Sequence, residues 1–430
     1  MVGTRRRCGR LGRVDVTPDK IAAAAQRTVA QRTPLERSER LGEAYAAEVL
    51  LKREDLQLGR SYKVRGAYHL MSSLSPEELA RGVVCASAGN HAQGVAISAA
   101  RLGAQAHIVV PTNTPRQKRE RILALGGDSV ELSLIGRTYD EASAAAHELA
   151  DGTGATYVHP FDDPRTITGQ GTVAVELTEQ AAADGAGPLD LLVVPVGGGG
   201  LLAGVATWVR QAWPSTRIVG VEPVGAASMS AAIAAGGPVP LDRLDTFVDG
   251  ASVGLAGAAT YPLVRDLVDD VLAVDVGAVC TEMLELYQVD GIIAEPAGAL
   301  APAALAQLAR DHGLTGRIGA IVSGGNNDVS RYAEVIERAL VHQGLRHYFL
   351  VSFPQEPGAL RGFLDNVLAE GEDIVVFDYI KKSNRETGPA LIGIDLDHAS
   401  GIDGLLERMT ATDLVIEKIP YDSPLFTFLH

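Results

Sequence analysis

Cysteine is scarce. Cys8, Cys85 and Cys280 are the only three, they lie far apart, and no CxxC pair occurs. An odd, dispersed set excludes a disulfide scaffold and a cysteine zinc site, and free thiols suit a reducing cytoplasmic compartment. No HExxH stands among the 10 histidines, so that zinc motif is absent as well. Aromatic residues make up only 5%, too few for a surface that stacks nucleic-acid bases. Basic residues are outnumbered, 38 against 53 acidic, which leaves a net charge of −15. A field of that sign repels nucleic acid and anionic membranes. Long apolar runs are missing too. The uncharged stretches Leu191–Val209 and Pro223–Leu241 are interrupted by prolines and glycines, and neither reads as a membrane helix. Near the N-terminus Arg5, Arg6, Arg7, Arg10 and Arg13 precede the first acid, Asp15, with no apolar segment behind them. That predicts a basic, disordered extension over residues 1–16 and not a secretory signal; a transit peptide or a nucleic-acid arm is the alternative.

What is present is an ordinary globular composition. The chain has 430 residues, 46% hydrophobic and 21% charged, enough for two or three domains with buried cores. Thr17-Pro18 reads as a helix start, with Thr17 as cap and Pro18 in the first turn. From about residue 80 to 330, short β-rich runs (Val83–Cys85, Ala106–Val110, Leu191–Val196, Ile218–Val221, Ile318–Val322) alternate with Ala-rich helical stretches such as Ala92–Leu102, Thr172–Ala183 and Ala297–Ala309. Such alternation predicts an α/β architecture with a largely parallel sheet, whose ligands sit beyond the carboxyl ends of the strands. After residue 345 the pattern changes. Arg346–Phe353, Ile374–Lys381, Pro389–Leu396 and Asp413–Lys418 read as strands, and Gly358–Leu368 and Ile402–Met409 as helices, with turns at Pro354–Pro357 and Ser383–Gly388. The order βαββαβ is the ferredoxin-like layout. It predicts a small α+β domain over 345–421, joined through Glu334–Gly344 to a catalytic region over 17–335.

Four strand-end segments carry the chemistry. Gly197, Gly198, Gly199 and Gly200 follow one predicted strand and precede a helix opening at Leu201. A glycine turn lets backbone N–H groups converge on an anion at a helix N-terminus, and a phosphate suits it. No Lys-Ser/Thr follows, so it is not a Walker loop, and the spacing is not GxGxxG; a flexible turn without ligand is the alternative. Lys63, in Ser61-Tyr62-Lys63-Val64-Arg65-Gly66, lies in a mostly uncharged stretch ahead of a helix and is a weak candidate for a desolvated amine. Ser87-Ala88-Gly89-Asn90-His91 places small residues and donors where a strand meets a helix. It suits a carboxylate or the polar edge of a cofactor, unless Ser87 or Asn90 is only the helix cap. His91 alone reads as a structural hydrogen-bonder. Ser323, in Ser323-Gly324-Gly325-Asn326, closes another strand and either points into the crevice or belongs to a turn.

Taken together, SYKVRGA, SAGNHAQGVA, HPFDDP, TGQGT, PVGGGGL, AEPAGA and SGGN, in this order, resemble the fold type II (tryptophan synthase β-like) pyridoxal-phosphate enzymes, and within them the serine/threonine dehydratases. The tail segments FPQEPGAL and NRETG resemble the ACT-like regulatory domain of the biosynthetic threonine dehydratases. The resemblance implies pyridoxal 5'-phosphate as cofactor, held by Lys63 as a Schiff base. Gly197, Gly198, Gly199, Gly200 and Leu201 would bind its phosphate, Asn90 its ring hydroxyl and Ser323 its pyridine nitrogen. Ser87 and Asn90 would receive the substrate carboxylate. The implied activity is ammonia-lyase chemistry on L-threonine, giving 2-oxobutanoate and ammonia at the entry to isoleucine synthesis. A homotetramer and a branched-chain amino-acid effector, isoleucine first, are further implications.

Two departures from the racemase relatives stand out. They carry a second serine where this chain has Ala88, so racemisation is expected to be poor. Their metal site near Glu222-Pro223 lacks its second carboxylate here, where Ser228 stands, so no divalent site is expected, while a monovalent ion stays open. Glu295 in AEPAGA either lines the pocket or caps the helix that starts at Pro296. The competing functions are a catabolic serine/threonine dehydratase, a serine racemase, and a non-catalytic amino-acid sensor.

Overall fold

The computed structural model describes residues 14–183, 185, 187–379, 386–420 and 423. The basic extension through Arg13, with Cys8, and the Asn384-Arg385 part of NRETG lie outside the described residues. The chain divides into two units. One runs to Asn327 without Gly277–Leu284, and the other comprises Gly277–Leu284 and the chain from Asp328 onward.

The first unit holds two sheets. The larger has six strands in the order Leu35–Arg37, Glu48–Arg53, Arg317–Val322, Leu191–Pro195, Arg217–Pro223, Asp270–Val274. All neighbours are parallel except the first pair. The smaller has four parallel strands in the order Val130–Leu134, Ala106–Val110, Val83–Ala86, Thr156–Tyr157. The strand interiors are apolar and buried, with Leu192, Val193, Ile218 and Val219 fully so, as sheets covered by helices require. Helices fall where the alanine-rich runs lie: Asn90–Leu102, Pro164–Ala183, Gly200–Ala212 and Pro296–His312. The Thr17 hydroxyl accepts the Lys20 N–H ahead of helix Pro18–Ala25, the cap expected from Thr17-Pro18.

Glu48–Arg53 is a strand that the sequence pattern hides. It ends in Lys52 and Arg53, yet both are buried. Lys52 Nζ donates to Glu176 at 2.7 Å and to the Thr33 carbonyl at 2.7 Å. Arg53 is paired with Asp55 and Glu36. Buried charge is tolerated only when partnered in this way.

In the second unit, strand Arg346–Pro354, helix Ala359–Val367, strands Glu372–Tyr379 and Thr387–Leu396, helix Ile402–Thr410 and strand Val415–Lys418 follow in that order. The sheet order is Glu372–Tyr379, Thr387–Leu396, Arg346–Pro354, Val415–Lys418, antiparallel throughout. This is the ferredoxin-like arrangement expected from the pattern. Its core gathers Phe349, Phe353, Phe363, Ile392, Ile394 and Leu405. The turn expected to extend to Gly388 instead gives way to strand at Thr387, which pairs with Pro354. The segment read as the join is mostly helix, Tyr332–His342. Among the described residues no helix is long and apolar enough to cross a membrane.

Candidate active site

The lysine is placed by a short backbone ladder. Gly325 N–H donates to the Arg60 carbonyl at 2.8 Å and Tyr62 N–H to the Ser323 carbonyl at 3.2 Å. Between them Ser61 bridges Gly324 in antiparallel fashion. Lys63, the first residue of helix Lys63–Ser72, is thereby brought beside the end of strand Arg317–Val322. Its Nζ donates to the Pro160 carbonyl at 3.2 Å and sits 5.4 Å from the centre of the Tyr62 ring. Burial pulls its pKa down to about 8, against an opposing pull from the Glu295 charge. Removing an ammonium from water favours the neutral amine, and here that leaves a usable fraction of free base near neutrality. Two residues on, Arg65 is fully buried. It is paired with Glu54 at 2.8 Å and Glu176 at 2.7 Å, and Lys52 shares Glu176. These two cations and two carboxylates balance, and they anchor the helix that begins with Lys63.

The four glycines face that amine. A small pocket is lined by Lys63, Tyr62, Phe161 and Gly197 to Leu201, among others. Gly199 has φ of 93°, a left-handed conformation that favours glycine. A Cβ on Gly198 would overlap the Phe161 ring. Helix Gly200–Ala212 begins here without a side-chain cap. Among the described residues no protein acceptor takes the N–H groups of Gly197, Gly198, Gly199, Gly200 or Leu201. A row of amide donors at a helix N-terminus, with no basic side chain among them, is a cradle for a phosphate.

Polar groups complete the crevice. Asn90, the first residue of helix Asn90–Leu102, donates from Nδ2 to Glu295 Oε1 at 2.6 Å. Its Oδ1 accepts from Asn326 Nδ2 at 2.6 Å, and Asn326 Nδ2 also reaches the Gly59 carbonyl at 2.7 Å. Glu295 stands immediately before Pro296, but its side chain makes no capping bond; it lines the site. Burial, and then the charge of Asp249, push its pKa up to about 7, with the Asn90 bond opposing. Ser323 is buried and its Oγ donates to the Ala297 carbonyl at 3.1 Å. The structure thus brings Lys63, Asn90, Ser323 and the glycine loop together. Ser87 lies just beyond strand Val83–Ala86, where its Oγ accepts the Gly89 N–H at 3.2 Å, and it bonds to none of the others. The cap of helix Asn90–Leu102 is Gly89, so neither Ser87 nor Asn90 serves merely as cap. His91 Nε2 contacts the Val158 carbonyl at 2.7 Å, and burial and the nearby Lys63 bring its pKa to about 3. It is a neutral structural group.

Sequence reasoning left Phe161, Asn326 and Thr260 without roles. The first two lie in the motifs HPFDDP and SGGN, and Thr260 carried no signal at all. Near Pro223, the Glu222 carboxylate is taken by the N–H groups of Met229 and Ser230 and the Ser230 hydroxyl. Ser228 Oγ is buried and has no hydrogen-bond partner among the described residues. Among the described residues no group of three or more His, Cys, Asp or Glu is placed to hold a metal ion.

Residues 27–324 match the pyridoxal-phosphate dependent enzyme family. The chain belongs to that family. Residues 337–429 match the C-terminal regulatory domain of threonine dehydratase. The chain is 56% identical over 399 residues to a biosynthetic L-threonine dehydratase, IlvA, of Mycobacterium tuberculosis, covering 92% of each. It is 46% identical to the protein of that name from Bacillus subtilis, over 92% of this chain and 93% of the other. Among solved structures, it is similar to the processed form of threonine deaminase isoform 2 from Solanum lycopersicum, with a TM-score of 0.71 and 40% identity over 79% of this chain and 99% of that one. Maize serine racemase gives a TM-score of 0.69 and 34% identity, covering 76% and 98%. The residues present fit the cofactor of this pyridoxal-phosphate family. There is a half-buried amine for an aldehyde, a cradle of N–H groups without acceptors among the described residues for a phosphate, and a serine and an asparagine amide for the edge of a ring.

Proposed function

We propose that the chain is a threonine ammonia-lyase, converting L-threonine to 2-oxobutanoate and ammonia at the start of isoleucine synthesis. The observation that carries this is the half-buried Lys63 amine facing a loop whose N–H groups have no protein acceptor among the described residues. Identity of 56% across 92% of a biosynthetic L-threonine dehydratase supports the substrate.

When bound, pyridoxal phosphate supplies an electron sink for the charge that develops at the substrate Cα. The chain does the rest. Lys63 would hold the cofactor through its amine and, as a free amine, would take the Cα proton; a pKa near 8 suits that task. The N–H groups of Gly197, Gly198, Gly199, Gly200 and Leu201 hold the phosphate by dipoles alone. Asn90 keeps one amide hydrogen for the ring hydroxyl while the other stays on Glu295. Ser323, a neutral hydroxyl, would stand at the pyridine nitrogen, turning its hydrogen there from the Ala297 carbonyl, and would not keep that nitrogen protonated as a carboxylate would. That favours elimination over transamination. Ser87 and Asn90, the latter through its main-chain N–H because its side-chain amide is committed at both ends, would receive the substrate carboxylate with nearby N–H groups. Ala88 leaves no second acid on the opposite face of the ring, which separates this chain from the racemases.

Residues 17–335 act as the catalytic region and 345–421 as a regulatory domain that binds a branched-chain amino acid, isoleucine first, in a cytoplasmic homotetramer. The match of residues 337–429 to a regulatory domain supports feedback control. The test is 2-oxo acid release from L-threonine with and without L-isoleucine. Turnover that isoleucine suppresses is expected. Absence of turnover in cofactor-loaded protein would favour the amino-acid sensor instead.

A further inference from the structure

The carbonyl of Gly198 is held from behind. Thr260 Oγ donates to it at 2.6 Å, and the Gly257 N–H reaches it at 3.3 Å. Thr260 is completely buried and is not part of the cavity wall that Lys63 and the glycines form. In a trans peptide unit the C=O and the following N–H point in opposite directions. Fixing the Gly198 carbonyl on Thr260 therefore aims the Gly199 N–H away from Thr260.

The segment that carries Thr260 is itself tied down. The two carboxylate oxygens of Asp162 accept the N–H groups of Ala258 at 2.9 Å and Ala259 at 2.7 Å. The Asp162 N–H donates to His159 Nδ1 at 2.8 Å. Gly257 is enclosed by Asp162 Oδ1 and Thr260 Oγ, with no room for a Cβ. The residue before Asp162 is Phe161, whose ring occupies the space over Gly198. The glycine loop thus lies between two turns, 159–162 and 257–260, and Asp162 joins them.

We infer that Thr260 and Asp162 are positioning residues of the glycine loop, through which the chain favours a phosphorylated over an unphosphorylated cofactor. The inference rests on the assignment of that loop as the phosphate cradle. The loop carries no basic side chain, so its hold on a phosphate depends on the direction of its N–H groups. Hydrogen bonds weaken steeply as they bend, whereas a lysine ammonium would tolerate misalignment as a point charge. Neither Thr260 nor Asp162 touches the phosphate; both act through the peptide planes of the loop.

The test titrates the full-length protein, freed of bound cofactor, with pyridoxal phosphate and separately with pyridoxal, following the absorbance of the lysine-linked aldehyde. Thr260→Val keeps the shape and removes the donor, and Thr260→Ser keeps the donor. Thr260→Val is expected to weaken pyridoxal phosphate about tenfold, the effect of one misaligned hydrogen bond to a charged group. Pyridoxal binding should not change, and Thr260→Ser should restore the wild-type preference. Asp162→Asn, which can satisfy only one of the two N–H groups, should shift the preference in the same direction. It serves as the second variant if Thr260→Val does not fold. Equal weakening of both aldehydes, or of neither, in a variant that melts as the wild type does would overturn the inference. A wild-type protein that binds both aldehydes equally would remove the cradle assignment itself.

Discussion

Asn90 and Glu295, 205 positions apart in sequence, meet through a 2.6 Å hydrogen bond. It ties a helix packed on the smaller sheet to the residue ahead of a helix packed on the larger one. The side-chain amide is oriented from both ends, Nδ2 on Glu295 and Oδ1 on Asn326. Asn90 therefore presents its remaining amide hydrogen in one fixed direction.

Glu295 makes the site sensitive to pH. Its folded pKa of about 7 lies above the ordinary 4.5 because burial penalises the charge. A raised carboxyl stabilises the fold fully below pH 4.5, and this contribution is lost as pH rises through 7. Wild-type melting temperature should therefore fall between pH 5 and 8 by more than that of Glu295→Gln, whose side chain does not titrate. Melting curves across that window check this, and parallel pH profiles would contradict it.

Gly198→Ala should lose cofactor. The added methyl would overlap the Phe161 ring, and the loop must move to relieve it. Overpacking of this kind costs about 1–3 kcal/mol, roughly a tenfold to hundredfold loss of cofactor affinity if it falls on the bound state. Adding Phe161→Leu in the same chain should recover part of that loss. Spectrophotometric titration of the single and double variants measures it.

Arg65→Met should be severely destabilising. It would leave Glu54 and Glu176 buried with Lys52 as the remaining cation of the cluster. Removing one member of a buried ion pair costs about 3–5 kcal/mol. Chemical denaturation of the loaded protein gives the value. A loss below about 1 kcal/mol would mean that the cluster does not anchor the helix of Lys63.

Phe363→Ala should act on the second unit. Phe363 is buried, with the Phe353 ring edge-on at 5.5 Å between centres. Emptying such a site costs about 3–5 kcal/mol. Calorimetry should show one transition move down, with threonine turnover retained and its response to isoleucine weakened. Loss of turnover together with the transition would mean that catalysis depends on that unit's folding.

The parts of the site that the sequence displays are those whose reason is local. Gly197 to Gly200 lie between an apolar run and a helix, and Asn90 and Ser323 also follow apolar runs, so strand ends and loops could be read from periodicity. Glu48–Arg53 escaped because Lys52 and Arg53 look like surface residues until Glu176 and Asp55 are seen beside them. Thr260 escaped for the same reason. Its partner, Gly198, is 62 positions away, and nothing in its neighbours Ala259 and Tyr261 marks it. Glu295 was legible as a choice between two roles, and only its contact with Asn90 settled it.

The central claim is that Lys63 holds the cofactor. Borohydride converts a lysine-linked aldehyde to a stable amine, so the reduced holoenzyme can be digested and the modified peptide sequenced by mass spectrometry. The expected result is a single phosphopyridoxyl group on the peptide containing Tyr62-Lys63-Val64. A label on Lys52, Lys118 or any other lysine, or no label in protein that has bound the cofactor, would contradict it.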